Sequence, residues 1–277
     1  MPGTSSDTAI PTYIDTSKAS IARVYDAFLD GKDNYEIDRE VLRRVERVAP
    51  EAKTLAVDNR GFLIRVTRFI ASQTGVTQFL DCGSGLPTAE NTHQVAQRIQ
   101  PDARVVYVDN DPVVLAHGRA LLEENDQTHF SAADIFKPQE ILNDEVVRRH
   151  IDFDQPLALF QLGTLHHYNG ESPTPAEIMA EYIEALPTGS YVAISHFLDP
   201  QTEEHSAIAR RMEETFLHSP MGSGRFATHD ELLGMFNGLE LVDPGLVICA
   251  DWWPDGPRLK ELDAVSYCIA GAVARKS

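Results

Sequence analysis

The stretch FLDCGSGLPT, residues 79–88, decides the fold of this chain. An apolar segment ends in Asp81 and runs directly into Gly83, Ser84 and Gly85, after which we expect a helix to open near Thr88. Glycines at a strand-to-helix turn allow positive φ and let the backbone approach a ligand that a Cβ would exclude. The stretch therefore predicts a strand, a ligand-binding turn and a helix in succession.

Outward from this turn, short β-rich segments alternate with helical ones. We predict seven strands, at residues 77–80, 104–108, 128–132, 156–161, 191–196, 239–242 and 265–274. Such alternation is typical of a parallel sheet with crossover helices, whose strands are covered on both faces. A loop joins the last two segments, so we expect the final strand to be antiparallel. The predicted fold class is α/β, a Rossmann-like seven-stranded sheet.

The residues before the first strand have a helical pattern. Ile21, Val24 and Phe28 recur at three- and four-residue spacing, a turn rich in Gly and Asn follows, and a later helix ends at Gly75. We expect three parts: a disordered or extended leader (1–16), an N-terminal helical segment (17–75) and a ligand-binding domain (76–277).

Composition excludes several classes of function. The chain has 24 basic and 42 acidic residues and a formal charge of -18, which repels a nucleic-acid backbone. Its apolar runs are shorter than the roughly 20 residues that span a bilayer. The N-terminus lacks a basic cluster followed by an apolar run, so we expect a cytoplasmic protein. Three scattered cysteines predict neither a disulfide framework nor a metal site.

Acidic residues follow the first three predicted strands. Asp81 heads the glycine turn, where a carboxylate suits a cationic or amine-bearing ligand. Asp109 ends the second strand about 24 residues beyond Gly85, where it can accept both ribose hydroxyls of an adenosine cofactor. Asp134 and Ile135 end the third strand, where one side chain can hydrogen-bond an adenine ring and the other can pack against it. The pattern predicts an adenosine-containing cofactor.

Asp111 and the residues after Gly85 each allow a second interpretation. Asp111 precedes Pro112, so it is equally an N-cap for the helix that follows. A dinucleotide fingerprint would place glycine or alanine three residues after Gly85, where this chain has Thr88. A nicotinamide-dependent dehydrogenase is therefore disfavoured, although it shares the turn and the ribose carboxylate.

The ordered motifs resemble those of the class I S-adenosylmethionine-dependent methyltransferases. They are DCGSG (81–85), YVDND (107–111), ADI (133–135) and FQLGTLHH (160–167). More narrowly, the chain resembles an actinobacterial methyltransferase-like family of unknown function. That resemblance rests on ARVYDAFLDGKDNYEIDREV (22–41), NRGFLIRVTRFIA (59–71) and RFATHDELLGMFNGLELVDPGLV (225–247), together with the glycine turn.

The resemblance implies S-adenosylmethionine as cofactor, S-adenosylhomocysteine as product, and N-terminal helices that cover the pocket as a lid. It assigns no methyl acceptor. On this basis we expect the turn, the strand ends and the lid to supply the cofactor-binding residues, which are Asp81, Gly83, Ser84, Gly85, Asp109, Asn110, Asp111, Asp134, Ile135, Gln161, Tyr25, Tyr35 and Arg60.

His166 follows the fourth strand, at the edge where ligands bind in open α/β sheets, and is our candidate general base. The same Leu-His-His sequence also fits a purely structural end to the strand. For the acceptor pocket, the candidates are Trp252 and Trp253, or His218, Met221 and Arg225. We expect a small-molecule methyltransferase. The alternative is a regulatory protein that binds S-adenosylmethionine or S-adenosylhomocysteine without catalysis, because no base is obvious.

Overall fold

The computed structural model describes residues 15–88, 90–121 and 125–277, so nearly all of the predicted leader lies outside the described residues. Three helices precede the first strand: α1 Ile21–Phe28, α2 Glu36–Glu46 and α3 Lys53–Gln73. The remaining elements are β1 Gln78–Cys82, α4 Thr92–Ile99, β2 Arg104–Val108, α5 Pro112–Leu121, β3 Thr128–Ser131, α6 Pro138–Leu142, α7 Glu145–His150, β4 Ala158–Leu162, α8 Pro175–Ala185, β5 Tyr191–Phe197, α9 Glu203–Leu217, α10 His229–Gly234, β6 Glu240–Leu241, β7 Val247–Ile248 and β8 Ile269–Arg275.

The strands form one sheet in the order β3-β2-β1-β4-β5-β8-β6, with β7 also paired to β8. Strands β1 to β5 are mutually parallel, and β8 is antiparallel to β5, with Ile194 opposite Ala272. The predicted α/β class and the antiparallel last strand are confirmed. The sheet has one strand more than predicted, because the two-residue strand β7 lies in a segment too short to carry an alternating pattern.

The N-terminal helices share one hydrophobic core with the sheet. Phe62 of α3 is fully buried, and a Cβ added to Gly271 of β8 would lie 2.7 Å from its ring. Val24 and Phe28 of α1 belong to the same cluster of buried side chains. Helix α3 is thus a covering layer of the sheet, against which α1 packs.

The loop after the glycine turn is longer than predicted. Helix α4 begins at Thr92, so the expectation of a helix opening near Thr88 is wrong. Asn91 is the N-cap and forms a capping box with Gln94, and its Oδ1 accepts the Thr88 N–H at 3.0 Å. This cap fixes the helix start seven residues beyond Gly85.

Neither a membrane-spanning helix nor a metal cluster occurs in the described ranges. No helix within 15–88, 90–121 or 125–277 is long and apolar enough to cross a membrane. No group of three or more His, Cys, Asp or Glu side chains in these ranges could hold a metal ion.

Candidate functional site

A cleft of about 480 Å³ lies at the carboxyl ends of β1, β2 and β4, with α1 as its outer wall. Ligand pockets typically measure about 300–1,000 Å³. The cleft is lined by Ala19, Ser20, Ile21, Ala22, Tyr25, Asn59, Arg60, Leu63, Asp81, Gly83, Ser84, Gly85, Asp109, Asn110, Asp111, Pro112, Asp134, Ile135, Phe136, Leu162, Gly163, Thr164, His167 and Met221.

The glycine turn forms the floor of the cleft. Gly83 has φ 78°, and a Cβ there would lie 2.4 Å from Cγ2 of Thr164. Gly85 has φ 64°, and nothing in the structure lies within 4 Å of the position of a Cβ. Both glycines adopt a backbone that other residues avoid. Gly83 permits close packing against β4, whereas Gly85 leaves open space for a ligand.

Asp109 holds this turn in place from the end of β2. Its Oδ2 accepts the Gly85 N–H at 3.0 Å, and its Oδ1 accepts the Asp111 N–H at 2.9 Å. Each carboxylate oxygen has a second lone pair available. Burial raises the pKa of Asp109 to about 6. The side chain is therefore preorganised by backbone donors and still able to accept hydrogen bonds from a ligand.

Asp81 lies deeper, at the end of β1, and is only 4% exposed. Its Oδ2 accepts the Thr92 hydroxyl at 2.6 Å. Burial raises the pKa of Asp81 to about 6, and the Thr92 hydrogen bond and the Arg60 charge oppose that shift. A buried carboxylate with so little compensation is stabilised by a cationic ligand.

Helix α1 closes the outer side of the cleft. The hydroxyl of its N-cap, Ser20, donates a hydrogen bond to Oδ2 of Asp111 on the opposite wall. Asp111 Oδ1 accepts the Val113 N–H at 2.7 Å, so Asp111 also caps α5. The buried ion pair of Arg23 with Asp38, at 2.9 Å, fixes α1 to α2. The two helix caps thus join α1 and α5 across the cleft mouth.

A small side chamber of about 40 Å³ adjoins the cleft. It shares Ile21, Tyr25, Asn59, Gly163, His167 and Met221 with the cleft. Its other walls are Val24, Phe28, Leu55, Ala56, His166, Phe197, Phe216 and Ile269. The chamber lies between α1, α3 and α9 and is mostly apolar.

The structure brings most of the predicted site residues to the cleft. Those on its wall are Asp81, Gly83, Ser84, Gly85, Asp109, Asn110, Asp111, Asp134, Ile135, Tyr25 and Arg60. His166 lies on the wall of the side chamber and not of the cleft.

Two of the predicted cofactor-binding residues do not reach the cleft wall. The ring of Tyr35 lies under the Arg23 guanidinium at 5.1 Å, where it helps to hold α1 against α2. Gln161 is fully buried, and its Oε1 accepts the Thr164 hydroxyl at 2.7 Å. Its position on β4 points the side chain into the protein, because successive residues of a strand face opposite sides.

Hydrogen bonds fix the loop that follows β3. Asp134 Oδ1 accepts the Phe136 N–H at 3.0 Å, and the Tyr182 hydroxyl donates to the Ile135 carbonyl at 2.8 Å. These bonds fix the backbone and so position the Ile135 side chain against the glycine turn. Its Cδ1 lies 3.2 Å from where a Cβ on Gly83 would be. The loop thus presents the apolar side chain of Ile135 beside the carboxylate of Asp134 on the cleft wall.

Sequence reasoning missed Ser20, Asn59 and Leu63, which reach the cleft from helices that no strand-end pattern identifies. Of the acceptor-pocket candidates, Met221 lines both cavities, whereas His218 and Arg225 line neither. Trp252 instead packs edge-on against Phe62 and Phe69, away from the cleft.

Three comparisons place this chain among known proteins. A family model described as S-adenosyl methyltransferase matches residues 7–277. A candidate methyltransferase from Thermobifida fusca YX is 40% identical with a TM-score of 0.90, over 97% of this chain and 99% of that one. A DUF574 family protein from Streptomyces avermitilis MA-4680 is 34% identical with a TM-score of 0.87, over 95% and 99%. None of the curated proteins compared with the chain matches it.

Proposed function

This chain belongs to the S-adenosyl methyltransferase family, and from that premise we propose that it transfers the methyl group of S-adenosylmethionine to a small molecule. The observation that carries the proposal is the cleft at the carboxyl ends of the parallel strands, with Asp81, Gly85 and Asp109 on its wall. When bound, S-adenosylmethionine supplies an electrophilic methyl carbon on a positively charged sulfur.

The turn has room and hydrogen-bonding capacity for this cofactor. The position of a Gly85 Cβ is open, so a ligand can approach the backbone there. The Ser84 hydroxyl is buried and has no hydrogen-bond partner among the described residues. A buried hydroxyl without a partner is costly, and a bound ligand relieves that cost. These features support the turn as the seat of the cofactor.

The charged groups suit the two ends of the cofactor. Asp109 is the proposed acceptor for the ribose hydroxyls, since each of its oxygens retains a free lone pair. Asp81 is the proposed partner of the α-amino group and Arg60 of the carboxylate. Arg60 is positioned by its hydrogen bond to the Glu90 carbonyl at 2.8 Å. Asn110, Asp111, Asp134 and Ile135 are proposed to surround the adenosine.

The same geometry disfavours a dinucleotide. A pyrophosphate binds where a helix N-terminus directly follows the glycine turn. Here α4 begins at Thr92, and its first turn faces the buried carboxylate of Asp81 through the Thr92 hydroxyl. The acidic floor of the cleft would repel a pyrophosphate and attract a sulfonium.

The lid is part of this proposal. We assign residues 17–75 to a lid segment, in which α1 covers the cofactor and α3 forms the layer beneath. Tyr25, on the cleft side of α1, donates to the Ala56 carbonyl at 3.1 Å and accepts from Asn59 at 3.0 Å. With both of its hydrogen bonds made inside the protein, Tyr25 supports the cofactor as a rigid wall.

Calorimetric titration with S-adenosylmethionine, S-adenosylhomocysteine and NADH tests the proposal. We expect both adenosyl ligands to bind and NADH not to bind. Asp109→Ala should weaken the binding of both by at least about tenfold, because it removes the ribose acceptor and the anchor of Gly85. Asp102→Ala, at an exposed position before β2, is the matched control and should bind normally.

Unchanged binding in Asp109→Ala would remove Asp109 from the site, and NADH binding would revive the dehydrogenase. A methylated product from any member of a chemically diverse acceptor panel would exclude the alternative of a regulatory protein without catalysis.

A further inference from the structure

The side chamber presents no charged group to an occupant. The Tyr25 hydroxyl is hydrogen-bonded to Asn59, and Asn59 Oδ1 accepts the hydroxyl of Ser195. Nδ1 of His166 accepts the Phe197 N–H at 3.4 Å, and burial lowers the pKa of this imidazole, which keeps it neutral. A charged occupant would lose its hydration without gaining a counter-ion. The chamber therefore selects uncharged molecules.

Aromatic rings form one wall of the chamber. The Phe197 ring stacks on the His166 ring at 3.7 Å with an interplanar angle of 11°, and on the Phe216 ring at 5.5 Å and 14°. Offset stacking against such a wall favours a planar aromatic ligand. The wall is rigid because its rings are held between α9 and the sheet.

The chamber must widen to take a ring. Its volume is about 40 Å³, whereas a cavity of about 150 Å³ binds benzene. The side that can yield is formed by Ile21, which is 41% exposed, and the partly exposed Met221. A methionine side chain adapts readily to an occupant because it is unbranched and polarisable. Both residues also line the cleft, so an aromatic ligand would enter from the cofactor side.

His167 is the histidine at the junction of the two cavities. Its Nδ1 lies 2.9 Å from the Ser223 hydroxyl, and in the described part of the chain nothing is hydrogen-bonded to its Nε2. Burial lowers the pKa of His167 to about 3, so the ring is neutral at pH 7. His196 differs, because its Nδ1 is bonded to the Phe197 carbonyl at 2.7 Å and it lines neither cavity.

We propose that the side chamber binds the methyl acceptor, that the acceptor is an uncharged aromatic alcohol, and that His167 takes the proton from its hydroxyl. The proposal rests on the proposed function. As the acceptor oxygen bonds to the methyl carbon, the carbon–sulfur bond breaks and its electron pair remains on sulfur. The hydroxyl proton passes to Nε2 of His167 and from there to water.

The charge in the site supports this assignment. The positive charge on sulfur is lost as the imidazolium forms, so the net charge of the cleft that Asp81, Asp109 and His167 line is the same before and after transfer. Formation of the imidazolium is thereby compensated, although burial disfavours it in the free protein. His166 is less suited to this role. It lines the chamber but not the cleft, and its Nδ1 already accepts a backbone N–H.

Methionine methyl NMR tests where the acceptor binds. Protein with ¹³C-labelled methionine methyls is saturated with S-adenosylhomocysteine and titrated with 4-ethylphenol or with 4-hydroxybenzoate, which carries a carboxylate. We expect 4-ethylphenol to shift the Met221 signal saturably and to bind at least about tenfold more tightly than 4-hydroxybenzoate. Met179, buried in a separate core cluster, should not respond. Equal binding of the probes, or an unmoved Met221 signal, would overturn the proposal.

A substitution that enlarges the chamber tests whether the acceptor binds there. Phe28→Leu enlarges it and should favour 2-naphthol over 4-ethylphenol severalfold relative to the unaltered protein. Phe130→Leu is the matched control, because Phe130 is 3% exposed, Phe28 is 5% exposed, and only Phe28 lines the chamber. If Phe28→Leu and Phe130→Leu showed the same preference for 2-naphthol, the probe would bind outside the chamber.

The protonation of bound 4-nitrophenol tests His167, since its phenolate absorbs visible light. We expect the apparent pKa of the bound probe to be higher in His167→Gln than in the unaltered protein, and unchanged in His218→Gln, an exposed control. An equal pKa in all three would exclude His167 as the proton acceptor. S-adenosylhomocysteine binding is measured first in each protein, so its absence would refute the proposed function separately.

Discussion

Gly83 and Gly85 share a left-handed backbone conformation but have different surroundings, so their substitution by alanine should fail in different ways. Gly83→Ala meets Cγ2 of Thr164 at 2.4 Å and should destabilise the fold by more than the roughly 1–2 kcal/mol of the backbone alone. Gly85→Ala meets no atom within 4 Å, so it should lose little beyond the backbone contribution. The added methyl group of Gly85→Ala points into the open cleft. This variant should therefore lose more cofactor binding than its small loss of fold stability can account for.

Chemical denaturation and cofactor titration of both variants separate these effects. Equal loss of stability in the two, or normal cofactor binding by Gly85→Ala, would contradict the assignment of the open space to a ligand.

At this scale the sequence allowed prediction of those site residues that end strands. Asp81 and Asp109 could be placed because the carboxyl ends of parallel strands meet at one edge of a sheet. Asn59 could not, because its position depends on how α3 packs against the sheet. Gln161 was expected at the strand end as well, but the sequence does not show that its side chain is fully buried and off the cleft wall. The choice between His166 and His167 depends on a shared wall between cavities, which no linear pattern encodes.

Among the elements, α1 is joined to the start of α5 across the cleft through its N-cap, Ser20. Ser20 Oγ accepts the Arg23 N–H at 3.3 Å, and Thr202 Oγ1 accepts the His205 N–H at 3.3 Å at the start of α9, which makes Thr202 a matched cap. Ser20→Ala and Thr202→Ala should each cost about 1 kcal/mol of stability. Only Ser20 also donates to Asp111 across the cleft.

We therefore expect Ser20→Ala alone to speed the dissociation of S-adenosylhomocysteine and the amide hydrogen exchange of α1. Stopped-flow displacement and exchange mass spectrometry measure these two rates. If both variants release the ligand at the same rate, the hydrogen bond to Asp111 does not hold the lid.

The boundaries of one strand were predicted correctly, whereas the last strand was expected from residue 265 and begins at Ile269, after a 3-10 helix at Ala264–Cys268. The second strand, Arg104–Val108, was predicted with both ends correct because it is a continuous apolar run between a turn and an acidic residue. The start of α4 was placed too early, because the capping box of Asn91 and Gln94 sets the first residue of the helix. The two-residue strand β7 forms only because β8 offers it an edge.

For the whole molecule, the buried carboxylates couple pH to stability and to ligand binding in opposite directions. Burial raises the pKa of Asp81 and Asp109 from 3.8 to about 6. A carboxyl group with a raised folded-state pKa binds protons more tightly in the folded protein than in the unfolded chain. Its ionised form therefore destabilises the folded state fully above about pH 6, and this destabilisation is relieved as the pH falls toward about 4.

As the pH falls from about 7 to about 5, the ligand-free protein should therefore become more stable, and its affinity for S-adenosylmethionine should decrease. Denaturation and calorimetry across this range measure both quantities. The net charge of -18 favours the same stability trend, so the double variant Asp81→Asn, Asp109→Asn provides the baseline to subtract. Affinity that rises toward pH 5 would show that the carboxylates do not bind the ligand in ionised form.

The position of β8 between β5 and the short strands β6 and β7 has a consequence for the order in which the protein can fold. Ile194 pairs with Ala272, so β5 keeps one edge unpaired until a segment far downstream has left the ribosome. An unpaired hydrophobic edge invites association with other chains. Closing so long a loop is also slow compared with forming the local βα units. The sheet thus cannot be completed progressively from its first strand during translation, and a nascent chain that stalls before Ile269 would expose β5 to aggregation.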